Sequence, residues 1–278
     1  MGHSCCPRLG RVALVVALMA SMAQAPAPED ALTRAHRAYN AGQYDTAIAA
    51  AREALKQPDR SNAAAVVLAR ALLDRYRAGS VLSDLDDARA VLADVRPAEL
   101  SPRDHVAFLT GLGLVLYHDG CDAGCFNTAA EFFAQALDRM TGPEMGDREL
   151  VFEWWANSLD RHAIYSPEAD RVAAYRRILE RAERERAERA QSTSAAYWIA
   201  AASRGAGDPD RAWSAAVSGW INARYQGERG DKLRADLDYL VEQVILPDRA
   251  NAQAADGDAR LALMHMLKQW ADLKAKYK

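Results

Sequence analysis

The chain has 278 residues, half of them hydrophobic, with 35 lysines and arginines against 38 aspartates and glutamates and a formal net charge of −3. That length suits one large domain or a short array of repeats. A balanced, slightly acidic charge excludes the basic footprint of a nucleic-acid binder.

Arg8 and Arg11 open a segment whose apolar run, Val12 to Ala20, is too short to span a bilayer. Small residues follow, as Ser21-Met22-Ala23 and Ala23-Gln24-Ala25, and mark cleavage after Ala23 or Ala25. Residues 1–25 therefore read as a secretory signal peptide, which places the mature protein in the periplasm or outside the cell; an uncleaved anchor is the alternative. Cys5 and Cys6 precede the apolar run, whereas a lipidated cysteine would follow it. No later stretch is apolar enough to cross a membrane.

Next comes AHRAYNAGQYDTAIAAAREALKQPD, residues 35–59, which predicts two short helices turned at Gly42. Its second helix aligns Ala47, Ala51 and Ala54, small residues that let two helices press together. The triplet recurs 41 residues on as Ala88, Leu92 and Val95, and after another 41 as Ala129, Phe133 and Ala136. Later copies are looser: one near Ala173, then Ala212, Ala216 and Gly219. First helices fit between them at roughly 28–41, 61–77, 103–118, 148–164 and 193–205. In the third, Leu109, Leu112, Gly113 and Leu116 fill apolar and small positions, and Gly120 stands where Gly42 does. In the fifth, Gly207-Asp208-Pro209 makes the turn, and the proline suits a first helical turn. The fourth has IYSPEAD in place of a turn glycine.

Residues 171–191 form a dense charge run in which Glu180 faces Arg184 and Glu185 faces Arg189, the spacing of a solvated helix face. Beyond the array, Asp231 to Ile245 places Leu233, Leu237, Leu240, Val241, Val244 and Ile245 on one stripe, with Pro247 as the stop. Residues 258–277 carry another stripe through Leu263, Met266, Leu267, Trp270 and Leu273. This pair is expected to cap the open end of a repeat array. No strand pattern emerges, so the fold class is all-α.

Few residues suggest chemistry. His118-Asp119-Gly120-Cys121-Asp122-Ala123-Gly124-Cys125 has metal-binding residue types, but structural zinc wants four ligands and only one histidine and two cysteines are present. Cys121 and Cys125 are the cysteines left after leader removal, and an even pair in an exported chain favours a disulfide. The histidines beyond the leader, His36, His105, His118, His162 and His265, are scattered. Neither a nucleophile elbow, a phosphate loop nor HExxH occurs. The expectation is a non-enzyme without cofactor or metal. All six tryptophans follow residue 150. Adjacent Trp154 and Trp155 must point in different directions on a helix, so one of them, with Trp198, is a candidate aromatic contact.

The turn AGQYD and the small-residue triplets resemble the tetratricopeptide (TPR) repeat, although TPR units run near 34 residues and HEAT-like arrays have longer periods. The resemblance is closest over 28–60, fair over 103–140 and 193–222, and weak elsewhere. It implies a right-handed α–α superhelix, a TPR-like solenoid of about five helix pairs over 26–225, with capping helices over 226–278. Such proteins line a concave groove with their first helices and bind partner segments there. Carried over, the groove candidates are His36, Tyr39 and Asn40 in the first unit, Arg70 and Asp74 in the second, and Tyr117 and His118 in the third. The TPR subclass that clamps C-terminal carboxylates uses Lys and Asn where this chain has Leu32, His36 and Arg70. The function this implies is a protein–protein interaction scaffold of the cell envelope. Its rivals are an accessory of envelope or polysaccharide machinery that binds glycan or an outer-membrane assembly partner, and an enzyme with an unrecognised helical site.

Overall fold

The structure, a computed structural model, describes residues 29–79, 81–120, 122–142, 147–253 and 258–277. The expected leader, residues 1–25, and Cys121 lie outside the described residues. Among those described the chain is helical, without strands. The helices are α1 (Ala31–Asn40), α2 (Tyr44–Ala54), α3 (Ser61–Gly79), α4 (Leu82–Ala93), α5 (Pro102–Asp119), α6 (Ala123–Arg139) and α7 (Arg148–Ile164). They continue as α8 (Glu168–Glu188), α9 (Thr193–Gly205), α10 (Pro209–Ala223), α11 (Gly227–Leu240), α12 (Leu246–Gln253) and α13 (Ala259–Lys276). No helix among the described residues is long and apolar enough to cross a membrane.

Local chemistry sets many of the boundaries. Asp30, Ser101, Asp122, Asp147, Ser192, Asp208 and Asp258 each accept a hydrogen bond from a backbone N–H of the turn they precede. Pro102 and Pro209 occupy first helical positions, where the missing N–H costs nothing. Gly42, Gly120 and Gly207 all take positive φ at the α1–α2, α5–α6 and α9–α10 turns, the conformation that favours glycine.

Each helix from α1 to α10 packs against the next. In addition α1 meets α3, α3 meets α5, α7 meets α9 and α9 meets α11, so α1, α3 and α5 lie side by side, as do α7, α9 and α11; these two runs make up the odd-numbered layer, with even-numbered partners packed against them. The small-residue triplets form the seams between the layers. Ala47, Ala51, Ala54, Ala88, Ala129, Phe133, Ala136, Ala212 and Ala216 are fully buried. Gly113 shows why a small residue is needed there. A Cβ on it would come within 2.6 Å of the Phe133 ring, and one on Gly205 within 2.4 Å of Tyr175.

Three sequence expectations need correction. In the fourth unit Ala173 is exposed, and the seam is made by Ala174, Ile178 and Ala182, one residue on. Without a turn glycine to anchor the count, the sequence spacing points one position too early. The charge run on α8 is not wholly solvated, since the Glu185 side chain is 6% exposed and meets three arginines. Finally, Pro247 does not stop the helix begun by α11. A π-helical stretch, Val241–Ile245, widens the turn just before it, and the Leu246 N–H reaches back to the Val241 carbonyl. Pro247 thus falls in the first turn of α12, where its missing N–H and bulky ring are tolerated.

The C-terminal stripes pack as expected. Leu233, Leu237, Leu240, Val241, Ile245, Met266 and Trp270 join Trp220 and Ala216 in a core continuous with α10.

Candidate functional site

Two regions of the odd-numbered layer gather polar side chains. The first spans α1, α3, α5 and α7. The Tyr39 hydroxyl donates to Asp74 at 2.8 Å and accepts from Arg70 at 3.0 Å, while Arg77 donates to Asp74 at 2.8 Å. The Arg70 and Arg77 guanidiniums lie over the Trp154 ring at 5.9 and 5.1 Å. Burial, opposed by Arg70 and reinforced by Asp74, pushes the Tyr39 phenol up to about 12.

Beside this cluster His118 packs between Tyr76 and Tyr117, each ring at 5.3 Å. Burial and then the charges of Arg77 and Arg161 drive its pKa down to about 4, so the imidazole is neutral near pH 7. Arg161 covers the Tyr117 ring at 4.6 Å. Of the expected groove residues, Tyr39, Arg70 and Asp74 thus form one hydrogen-bonded group, and Tyr117 and His118 pack together. His36 is half-buried, with Asp104 and Arg103 of α5 as its charged neighbours. Asn40 is exposed at the end of α1.

The tryptophans divide. Trp154 is 7% exposed and packs on Phe133, and Trp155 is 1% exposed against Phe152, with Arg177 and Arg181 over its ring. Their helical neighbours place them on different sides of α7, both inside the protein. Trp198, 4% exposed, lines the second region.

That second region is a cleft of about 720 Å³ between α7, α9 and α11, closed behind by Tyr175 of α8. From α7 it receives Glu149, Glu153, Asn157 and Asp160, a polar stripe at intervals of one helical turn. From α9 come Thr193, Ser194, Tyr197, Trp198 and Arg204, and from α11 Arg229, Lys232, Asp236 and Tyr239. Val244, in the π-helical stretch, lines it too.

Glu149 ties two of these helices together. Its carboxylate accepts from the Ser194 N–H at 2.9 Å and the Thr193 hydroxyl at 2.7 Å, satisfying donors at the start of α9. Burial raises its pKa, but those hydrogen bonds and Arg229 at 3.4 Å outweigh it and hold the carboxyl below its usual value. Asp160 goes the other way. Burial lifts its pKa although the Tyr175 hydroxyl donates to it at 2.8 Å. The phenol of Tyr197, which lines the cleft on α9, is raised by burial and then by the nearby carboxylates of Asp160, Asp236 and Glu153.

Apart from Trp198, sequence reasoning missed the cleft. Its signal is the polar face of each odd-numbered helix opposite the apolar one, as in Glu149, Glu153, Asn157 and Asp160. Neither histidine nor cysteine lines the cleft. Among the described residues no group of three or more histidine, cysteine, aspartate or glutamate side chains is placed to hold a metal ion. Comparison of the chain with protein-family models and with curated proteins finds no match.

Proposed function

We propose that this chain is an exported TPR-like solenoid that serves as a protein–protein interaction scaffold, gripping a partner segment in the cleft between α7, α9 and α11. The observation that carries this reading is the position of the cleft. It opens on the odd-numbered layer, where it touches α7 and α9, the first helices of the fourth and fifth units, and α11 of the capping pair. A preformed concave surface built from rigid helices binds without having to order itself first. The Tyr39–Arg70–Asp74 group extends the same layer toward the N-terminus, although its internal hydrogen bonds hold it as a structural support. The glycan-binding alternative is weaker, because the indoles that would stack on sugars are buried. Export and a Cys121–Cys125 disulfide belong to the same proposal.

Affinity capture from an envelope extract tests it. A discrete partner retained by the wild-type protein and lost by Lys232→Glu with Tyr239→Ala, both exposed rim positions, supports the scaffold. Identical captures by the two proteins contradict it.

The carboxylates of the cleft favour a second reading, an acid–base enzyme, since Asp160 has a raised pKa and Glu153 lines the same space. Hydrolysis of a glycan or ester substrate, abolished by both Asp160→Asn and Glu153→Gln, would establish that reading in place of the scaffold.

A further inference from the structure

The charges of the cleft do not cancel locally. On its rim, Arg229 is engaged by Glu149 at 3.4 Å, and Arg204 donates to Asp248 of α12 at 2.7 Å. Glu149 is itself occupied by the first turn of α9. What remains is Glu153 on the α7 wall and Asp236 on the α11 wall, against Lys232 as the cation without an ion pair among the described residues, while Asp160 accepts from the Tyr175 hydroxyl at 2.8 Å and has Arg161 and Arg204 as charged neighbours. Asp147 adds a further carboxylate at the α7 end.

Glu153 and Asp236 stand on opposite walls, and with Asp160 they act electrostatically on the phenol of Tyr197, which lines the cleft on α9. They are too dispersed to form a metal-holding group. Dispersed carboxylates around an aromatic ring suit a larger organic cation, which can share its charge among several acceptors and lie against the ring. The cleft is partly shielded from water, so such a charge meets weaker screening than on open surface.

We propose that the cleft selects a partner segment by a lysine or arginine side chain, whose cationic head enters between Glu153 and Asp236 beside the Tyr197 ring. This rests on the reading of the cleft as a peptide groove. Lys232, at the α11 edge, then faces an acidic or C-terminal group of the same segment, which gives the segment a direction. Arg204 stays with Asp248 and Arg229 with Glu149, so neither is left unpaired when the cation enters.

A randomised peptide library displayed on phage, panned against the purified full chain, tests the proposal. The expected result is enrichment of lysine or arginine at one fixed position of the selected peptides. Glu153→Gln with Asp236→Asn should weaken the best of those peptides at least about threefold per charge removed. The charge-matched control, Asp59→Asn with Glu180→Gln, alters exposed acids that do not line the cleft and should leave binding within experimental error. Enrichment without a basic position, or equal weakening by both double variants, overturns the cation-selecting cleft but leaves the peptide groove standing. Recovery of no peptides above bare support contradicts the groove itself. Melting temperatures of both variants separate lost binding from lost folding.

Discussion

Arg148 shows how much a single side chain carries here. Its guanidinium makes a two-pronged contact with Glu185, at 2.5 and 3.1 Å, and also donates to the Leu137 and Met140 carbonyls at the end of α6. The side chains of Arg148 and Glu185 are 18% and 6% exposed. Removing Arg148 leaves Glu185 with Arg189 at 2.9 Å and Arg181 at 3.8 Å, and takes a charged donor from the Leu137 and Met140 carbonyls. Arg148→Ala is therefore expected to destabilise the fold by about 1.5–3 kcal/mol, read by chemical denaturation. A loss under about 1 kcal/mol would mean that Arg181 and Arg189, which also meet Glu185, replace it. His118 sets a pH dependence. Its folded pKa of about 4 lies below the ordinary 6.5, so in that window the unfolded chain binds a proton that the folded chain refuses. Stability from this residue is complete above 6.5 and is lost as the pH falls toward 4. Unfolding curves at pH 7 and pH 5 should show a smaller difference in His118→Phe than in wild type. Glu149 works in the same direction at lower pH, since its depressed carboxyl contributes stability that disappears as acid protonates it.

At the scale of the helix, the seams explain which parts of the fold were legible in sequence. Glycines with positive φ at the α1–α2, α5–α6 and α9–α10 turns announce themselves, because few other residues accept that backbone. The alanine triplets show as well, because two helices can approach closely only over small side chains. Where the glycine is missing, at the α7–α8 turn, the triplet slipped by a residue. Pro247 misled for a different reason: a local rule about proline cannot see the π-helical turn that accommodates it. Gly113 gives the element-scale prediction. Alanine has the higher helix propensity by about 1 kcal/mol, yet its Cβ would drive into the fully buried Phe133 ring. Overpacking of this kind costs about 1–3 kcal/mol. Gly113→Ala should lower the denaturation midpoint, and pairing it with Phe133→Leu should recover part of the loss. A Gly113→Ala protein as stable as wild type would show that the α5–α6 seam has room to spare.

For the whole molecule, the cleft was the part that could not be read from the chain. Its walls come from segments as far apart as Glu149 and Tyr239, and each contributes an ordinary exposed-looking polar stripe until α7, α9 and α11 stand side by side. The expected groove residues all fall in the first three units. In the structure several of them bond to one another, and the open space lies in the last units, where the pattern has drifted. Export has its own measurement. The intact mass of protein recovered from the producing cell's envelope should correspond to loss of 23 or 25 residues, with two more protons gained on reduction if Cys121 and Cys125 are joined.

The claim on which the rest depends is that a polypeptide lies in this cleft. A photo-crosslinking amino acid placed at Tyr239, which is 71% exposed on the cleft rim, reports it directly in the producing cell. The same probe at Tyr225, 72% exposed and outside the cleft, is the control. A discrete crosslinked partner at position 239 and none at 225 is the predicted result. Equal crosslinking at both positions, or none at 239 while the protein remains folded, would contradict it.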